Sequence, residues 1–258
     1  MIAQLILAAW VAVLPQLLST GAGPKPSAGG GGVTWTLVQH PSNFTCSASN
    51  GSTTIACTVT ASATTAGNAL LLLGGLYFEN AGATAPSFNA ASGDSTWTHC
   101  PASLKTDQYA SPSWENTDCA YILSAAGGAT SFTFTWNVPS TSTGIYADAE
   151  LLEVHRSTGT ASYDTGGVAA CGTPSTGVTS CAMANLTLTA ADFVAEWAGV
   201  SEIPSAPGSP WTNPADVDSS NLYGIFLGAL NRPSGALTGP TFTLSSAGWA
   251  AVSAVALK

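Results

Sequence analysis

Charge is scarce in this sequence. Only 7% of the 258 residues are charged, against about a quarter in an ordinary soluble domain. Five Lys and Arg face fourteen Asp and Glu, for a formal net charge of -9. An acidic surface repels nucleic-acid phosphates and anionic lipid headgroups, so we expect no nucleic-acid partner and no membrane contact beyond an export leader. Ser, Thr, Asn and Gly carry the polarity instead, and they suit strands and turns.

Motifs of the common catalytic and metal sites are also missing. There is no CxxC or HxxxH spacing, which argues against a zinc site. The nucleophile elbow GxSxG is absent, and Gly208-Ser209-Pro210 has proline where the helix of an elbow would begin. The three histidines are His40, His99 and His155, which lie far apart in the sequence without a recognisable ligand pattern. Surface or capping roles are favoured for them over a copper or zinc site.

Long amphipathic helices are missing too, and alternation with a period of two takes their place. Phe132, Phe134 and Trp136 alternate with polar residues, as do Ile55, Cys57 and Val59. Four other stretches are apolar on both faces and are predicted to be central strands covered on both sides: 69–78, 145–154, 222–230 and 249–257. The sequence predicts an all-β, two-sheet antiparallel sandwich that resembles a jelly roll.

A weak internal repeat runs through the chain. The stretch TVTASATTAGNALLLLG (58–74) resembles LTLTAADFVAEWAG (186–199), and 130–154 resembles 240–257. In the first pair, a Thr-rich strand and a short turn at Asn68 or Asp192 precede an apolar strand. Two related halves packed face to face would explain the repeat, so we predict an internal pseudo-duplication.

The first residues differ from the rest. Residues 2–18 are almost wholly apolar, and small residues follow, which predicts a signal peptide at 1–22 although no Lys or Arg precedes the apolar run. A retained membrane anchor is the alternative, but this run is short and contains Pro15. Residues 23–32 are predicted to be a Gly/Pro-rich linker and 33–258 a single domain. We therefore expect a secreted or cell-surface protein.

Six cysteines agree with export, because disulfides persist in oxidising compartments. Sequence alone leaves fifteen pairings open. Each cysteine has a near neighbour across a turn-rich stretch, as at Asn50-Gly51 between the first two. We therefore predict local disulfides Cys46–Cys57, Cys100–Cys119 and Cys171–Cys181.

Several segments together carry a resemblance to a family. They are GNALLLLGGLYFE, TSFTFTWNV, AELLEVHRSTGTASYD and FTLSSAGWAAVSAVALK. They resemble a secreted bacterial β-sandwich domain family of undetermined function, often found beside carbohydrate-active or adhesive modules. In that family a strand ending in Glu-aromatic-Ser-Gly precedes a loop with Asp. Glu153 and Asp164 take these positions here, with Val154-His155 replacing the aromatic-Ser pair. The resemblance implies fold and compartment but no reaction.

Three glutamates are the enzymatic candidates, namely Glu150, Glu153 and Glu196. Jelly-roll glycosidases use two facing carboxylates. Glu150 and Glu153 are three positions apart and point to opposite faces of a regular strand, so Glu196 would have to partner one of them. Structural roles are the alternative: one faces solvent, and another caps a loop or pairs with Arg156 or Arg232.

Aromatic residues near loops suggest binding. Exposed rings beside polar groups stack on sugars, and the candidates for ligand binding are Trp97, Tyr109, Trp114, Asn116 and Trp211. The long stretch 80–118 and the loop 201–220 are where a site is expected. The alternative is that these rings anchor loops onto the sandwich. Asp216 and Asp218 offer oxygen ligands for a structural calcium ion, the one cofactor considered.

Three functions follow, in order of preference. The first is a non-catalytic extracellular recognition module for polysaccharide or surface glycan. The second is a structural component of a cell-surface layer, filament or adhesive matrix. The third is a glycoside hydrolase-like enzyme that uses the strand carboxylates. The sequence leaves the oligomeric state open.

Overall fold

The computed structural model describes residues 32–41, 43–47, 49–80, 84–101, 105–109, 113–172, 176–200 and 224–258. For residues 80, 105–109 and 224–231 the description covers the backbone only. Val33 to Lys258 belong to one compact unit. Among the described residues there is no helix, and none is therefore long and apolar enough to cross a membrane.

Two four- to six-stranded antiparallel sheets form the first half of the unit. Sheet A contains β1 (Trp35–Gln39), β4 (Ala69–Asn80), β6 (Thr98–His99), β7 (Lys105–Tyr109), β8 (Ser113–Ile122) and β10 (Ser142–Arg156). Its strand order is β1-β10-β4-β8-β6, with β7 also paired to β8. Sheet B contains β2 (Phe44–Ser47), β3 (Thr54–Thr60), β5 (Ser87–Ser92) and β9 (Ser131–Asn137), in the order β2-β3-β9-β5.

A third sheet and two ribbons form the second half. Sheet C contains β11 (Tyr163–Cys171), β14 (Asp192–Val200), β15 (Gly224–Arg232) and β18 (Ala250–Leu257), in the order β11-β18-β14-β15. One ribbon pairs β12 (Val178–Ala182) with β17 (Thr241–Gly248), and the other pairs β13 (Leu186–Leu188) with β16 (Gly235–Leu237).

Three buried clusters show how the sheets stack. One cluster joins sheet B to sheet A, for example through Phe134 and Leu72. A second joins the opposite face of sheet A to sheet C, and it includes Leu71 and Phe193. The third joins the other face of sheet C to the ribbons and includes Val252. Sheets A and C are therefore covered on both faces, which is the reason that central strands such as β14 and β18 are buried along their whole length.

The alternating strands lie in the outer layers, as their pattern predicts. In β9 the rings of Phe132, Phe134 and Trp136 are fully buried and the intervening threonines are half-buried. β3 shows the same alternation opposite β9, in the register Cys57↔Phe134. Each outer strand thus packs one face against its neighbouring sheet and exposes the other to water.

The predictions of an all-β, antiparallel, sandwich-like fold and of local disulfides are confirmed. Cysteines pair as Cys46–Cys57, Cys100–Cys119 and Cys171–Cys181. Three disulfides are typical of an oxidising, extracellular environment. The number of sheets differs from the prediction, because the structure stacks sheets A, B and C with two ribbons instead of two sheets. Alternation along a strand tells which faces are buried, but it does not tell how many sheets share the buried faces.

Candidate functional site

The three candidate glutamates point into three different layers. Glu150 and Glu153 lie on opposite faces of β10, as their spacing predicts, and both are buried. Glu150 follows the alternation of Leu152 and points toward sheet C, whereas Glu153 points to the other side. Glu196 alternates in β14 with Ala195 and Trp197, which face sheet A, so its side chain points toward the ribbons. None of the three therefore pairs with another across one cleft.

Glu150 and Glu153 each contact a polar neighbour, and Glu196 lies in the core. Glu150 Oε2 lies 2.7 Å from Nε2 of His40. Glu153 caps a loop, since its Oε1 accepts hydrogen bonds from the Thr65 amide at 2.8 Å and from Asn68 Nδ2 at 2.6 Å. Glu196 is fully buried, and this burial raises its pKa to about 8 despite the opposing charge of Arg232. A carboxyl group with this pKa is mostly protonated at neutral pH.

The histidines also occupy separate places. His99 Nε2 lies 2.7 Å from Asp118 Oδ1, and its ring stacks on Phe88 with centroids 4.4 Å apart. The hydrogen bond to Asp118 raises the pKa of His99. His155 Nδ1 lies 3.0 Å from Asn68 Oδ1. Among the described residues, no group of three or more His, Cys, Asp or Glu side chains is arranged to hold a metal ion.

Two of the tryptophans proposed for ligand binding are partly buried. Trp97 donates its Nε1 hydrogen to Gly93 O at 2.6 Å and packs edge-on against Phe132. Trp114 packs against the same cluster between sheets A and B. These contacts agree with the alternative that the rings anchor loops.

Asn116, one of the candidates for ligand binding, lies in the core. It is fully buried, and its Oδ1 accepts a hydrogen bond from Trp136 Nε1 at 3.1 Å. Its amide oxygen therefore satisfies a core indole. The side chain of Tyr109, together with Trp211, Asp216 and Asp218, lies outside the described residues, as does the loop 201–220.

A different group of side chains meets at one end of sheet A. Tyr146 of β10 pairs in register with Tyr77 of β4, which pairs with Glu115 of β8. The two tyrosine rings lie 6.0 Å apart between centroids, tilted by 39°. Tyr146 is 37% exposed, one of the few large apolar residues that reach solvent in the described part of the chain. We call Tyr77, Tyr146, Glu115 and Asp148 the tyrosine–carboxylate site.

The carboxylates line a small pocket beneath the tyrosines. Glu115 and Asp148 are buried, with exposed fractions of 1% and 8%. With both tyrosines and Gly199 of sheet C, they line a cavity of about 10 Å³. That volume is close to the minimum that one water molecule requires. The pocket therefore admits a single small polar group and not a whole sugar ring.

Gly75 makes the pocket possible. It lies between Asp148 and Thr117 in the register of sheet A. A Cβ atom at this position would lie 2.3 Å from Asp148 Oδ1. Only glycine therefore lets the Asp148 carboxylate fold over the strand at this point.

Sequence reasoning missed this site, although it left two signals. Gly74-Gly75 interrupts a leucine-rich central strand, which indicates a close approach by another group. Asp148 interrupts the apolar stretch of β10 in the same way. The register that brings Tyr77, Tyr146 and Glu115 together depends on non-consecutive strands, and strand order was not available from the sequence.

A second concave surface lies at the edge of sheet A. It is an open, shallow groove of about 410 Å³ whose lining includes His40, Asn43 and Ser62. Among the described residues, no Phe, Tyr or Trp side chain lines it. The groove is large enough for a ligand, but most of its lining is polar and offers contacts that water also provides.

Comparisons with known proteins provide no relative for this chain. No family model, no curated protein and no solved structure matches it.

Proposed function

We propose that this protein is a secreted, non-catalytic recognition module that binds a neutral polysaccharide or surface glycan at the tyrosine–carboxylate site. The observation that carries the proposal is the exposed Tyr146 ring beside Tyr77, above a pocket lined by Glu115 and Asp148. Aromatic faces pack on the apolar face of a sugar, and carboxylates accept hydrogen bonds from its hydroxyl groups.

The size of the pocket favours binding over hydrolysis. A glycosidase surrounds the scissile bond with two carboxylates and leaves space for the sugar between them. At about 10 Å³, the cavity accepts one hydroxyl group from a sugar that lies on the tyrosines outside. Substrate cannot reach a position between Glu115 and Asp148 without rearrangement of the sheet.

The negative charge of the protein favours neutral glycans over anionic ones. The net charge of -9 and the two carboxylates at the site disfavour sulfated or uronic-acid polymers. A neutral, hydroxyl-rich chain carries no such penalty. We therefore expect neutral glucans, xylans, mannans or galactans among the ligands.

A glycan array tests the proposal. Wild-type protein is expected to bind at least one neutral glycan, and Tyr146→Ala is expected to weaken this binding about tenfold, since ring stacking contributes on the order of 1 kcal/mol or more. Tyr146→Phe keeps the ring and is expected to bind as wild type does. Val168→Ala, at an exposed position on β11, is the control for a general surface effect. Equal binding by wild type and Tyr146→Ala, or no binding by wild type to any glycan, contradicts the proposal.

Export by the N-terminal segment is part of the same proposal. The three disulfides support an oxidising destination. The segment 1–22 itself lies outside the described residues. Its role as a cleaved signal peptide, with 23–32 as a linker, remains the prediction from its composition.

We further propose that the domain is an internal duplication built of jelly-roll-like arms. Sheet A has the core order β1-β10-β4-β8, and sheet C has the order β11-β18-β14-β15. In sheet A, β1 pairs with β10, and β10 pairs with β4, the strand after the Asn68 turn. In sheet C, β11 pairs with β18, and β18 pairs with β14, the strand at the Asp192 turn. The two sheets therefore have the same strand order, which supports the repeat between 58–74 and 186–199.

A structural role in a surface layer or adhesive matrix is the second candidate. Val38 of β1 and Val168 of β11 are 45% and 44% exposed, and both strands lie at the end of their sheet's strand order. Edge strands with exposed apolar residues favour pairing between copies. Size-exclusion chromatography over a wide concentration range tests this candidate, and a monomer at every concentration removes it.

A further inference from the structure

Two buried aspartates lie side by side at one corner of sheet C. Asp192, the first residue of β14, is fully buried, and the Asp164 side chain is 1% exposed. Asp164 lies where β11 departs from regular pairing, between Tyr163 and Thr165. Its carboxylate accepts hydrogen bonds from the Thr189 amide at 2.7 Å, from the Thr189 hydroxyl and from Lys258 Nζ at 2.9 Å. Asp192 is a close neighbour of Asp164. Neither oxygen of the buried Asp192 carboxyl group receives a hydrogen bond from a donor group of the described residues.

A carboxyl group donates a hydrogen bond only when it is protonated. Two neighbouring ionised carboxylates would repel each other in a buried site. Asp164 already receives donors from Thr189 and Lys258, so it is the carboxylate that stays ionised. The proton of the pair therefore belongs to Asp192.

The first half of the molecule has a similar turn, in which the side-chain amide of Asn68 takes the place of the Asp192 carboxyl group. There the turn is Thr65-Ala66-Gly67-Asn68, and in the second half it is Thr189-Ala190-Ala191-Asp192. The Thr65 amide and the Asn68 Nδ2 group both donate to Glu153. The Thr189 amide likewise donates to Asp164, and the Asp192 carboxyl group lies beside Asp164. Asp192 therefore stands where the first half has Asn68, whose Nδ2 group is always a hydrogen-bond donor. A carboxyl group can donate at this position only when it is protonated.

We propose that Asp164 and Asp192 share one proton and form a clasp, stable in mild acid, that joins β11, the start of β14 and Lys258 at the end of β18. When Asp192 loses this proton, two like charges face each other and the clasp weakens. The turn before β14 and the end of β18 then open locally. The inference does not depend on the proposed glycan binding, because none of these residues belongs to the tyrosine–carboxylate site.

The charged groups near Asp192 lie on β11, β14 and β15 and on Lys258, the residue after β18. Asp164 of β11 opposes its ionisation, and Lys258 after β18 favours it. Arg232 of β15 is its partner in the sheet register, and Glu196 lies four residues further along β14. Burial and the neighbouring Asp164 outweigh Lys258 and raise the pKa of Asp192 to about 7. Burial opposes the effect, but the bonds from Lys258 and Thr189 hold the pKa of Asp164 below its usual range.

The sign of the pH dependence follows from these directions. The unfolded chain releases the Asp192 proton near pH 4, whereas the folded protein keeps it to about pH 7. The stabilisation is therefore complete below pH 4 and is lost as the pH rises to 7 and above. Asp164 acts in the opposite direction, because its pKa is lowered on folding. Its stabilisation is fully present above about pH 4 and is lost only as the pH falls below that value, so it stays constant across this window.

Carbon-detected NMR of the wild-type protein tests the clasp directly. The Asp192 carboxyl carbon is expected to titrate about three pH units above an ordinary aspartate. Titration near pH 4 would overturn the inference. This measurement needs no substitution and therefore does not depend on a variant that folds.

Matched variants test whether ionisation of Asp192 causes the loss of stability at higher pH. All of them carry Glu196→Gln, which removes the titration of the neighbouring glutamate. Asp192→Asn copies Asn68, and its melting temperature is expected to stay level from pH 5 to 8, while the parent loses stability. Asn68→Asp installs the pair in the first half, and it is expected to steepen the loss. An Asp192→Asn variant with the same pH slope as the parent contradicts the inference.

Discussion

At the scale of single residues, Gly74 and Gly75 show how little space separates the layers. A Cβ atom on Gly74 would lie 2.4 Å from Cζ2 of Trp136, a ring held in the core by Asn116. The leucine-rich strand β4 contains these glycines because the neighbouring layers already fill the space. A side chain at Gly74 must displace the tryptophan, and a side chain at Gly75 must displace Asp148.

We expect Gly74→Ala to lower the free energy of unfolding by about 1–3 kcal/mol, the usual cost of overpacking a core. Gly199→Ala is the matched control in a buried strand, since its Cβ would make an ordinary contact at 3.5 Å with Thr117. Urea denaturation of both variants measures the difference. Equal losses in the two variants would show that the contact with Trp136 is not the cause.

At the scale of strands, the three disulfides differ in how solvent reaches them. Cys100 and Cys119 are both fully buried in the cluster between sheets A and C. Cys46 of β2 and Cys171 of β11 are only partly buried. Since exchange requires that a thiolate reach a sulfur atom, accessibility determines which bond reacts first in the folded protein.

Under a mild reductant without denaturant, we expect Cys46–Cys57 and Cys171–Cys181 to be reduced before Cys100–Cys119. Alkylation followed by mass spectrometry of peptides gives the order. Reduction in denaturant is the control and is expected to modify all six cysteines at similar rates. Early labelling of Cys100 and Cys119 in the folded protein would contradict the burial of this bond.

At the scale of the whole molecule, buried acids make stability depend on pH. Burial raises the pKa of Glu196 to about 8 from an ordinary value of 4.5. The folded protein thus holds a proton that the unfolded chain releases near pH 4.5. This stabilisation is present below pH 4.5 and is lost as the pH rises to about 8. Asp192 acts in the same direction, so we expect the folded protein to be more stable in mild acid than at pH 8.

We expect Glu196→Gln to flatten the fall in melting temperature between pH 5 and 8, because the amide cannot ionise. Glu79→Gln, at an exposed position of β4, is the control and is expected to leave the slope unchanged. Calorimetry at several pH values gives both slopes. A Glu196→Gln slope equal to that of wild type would show that Glu196 ionises without cost.

The sequence determined much of the fold because its signals are local. Alternation in Phe132-Thr133-Phe134 or Ile55-Ala56-Cys57 follows from the geometry of a single strand. Disulfide pairing followed from short separations across turns such as Asn50-Gly51. Both-face apolar stretches such as β4 and β18 correctly predicted central strands. None of these signals required knowledge of which distant strand is a neighbour.

The tertiary structure alone decided the sites, since each depends on contacts between distant segments. Tyr77, Glu115 and Tyr146 meet because β8, β4 and β10 pair in that order. Asp164 and Asp192 meet because β11 and β14 both pair with β18. Side-chain patterns record whether a residue is buried. They do not record which layer buries it, so the pattern did not reveal that the three candidate glutamates lie in different layers or that Tyr146 is exposed beside Tyr77.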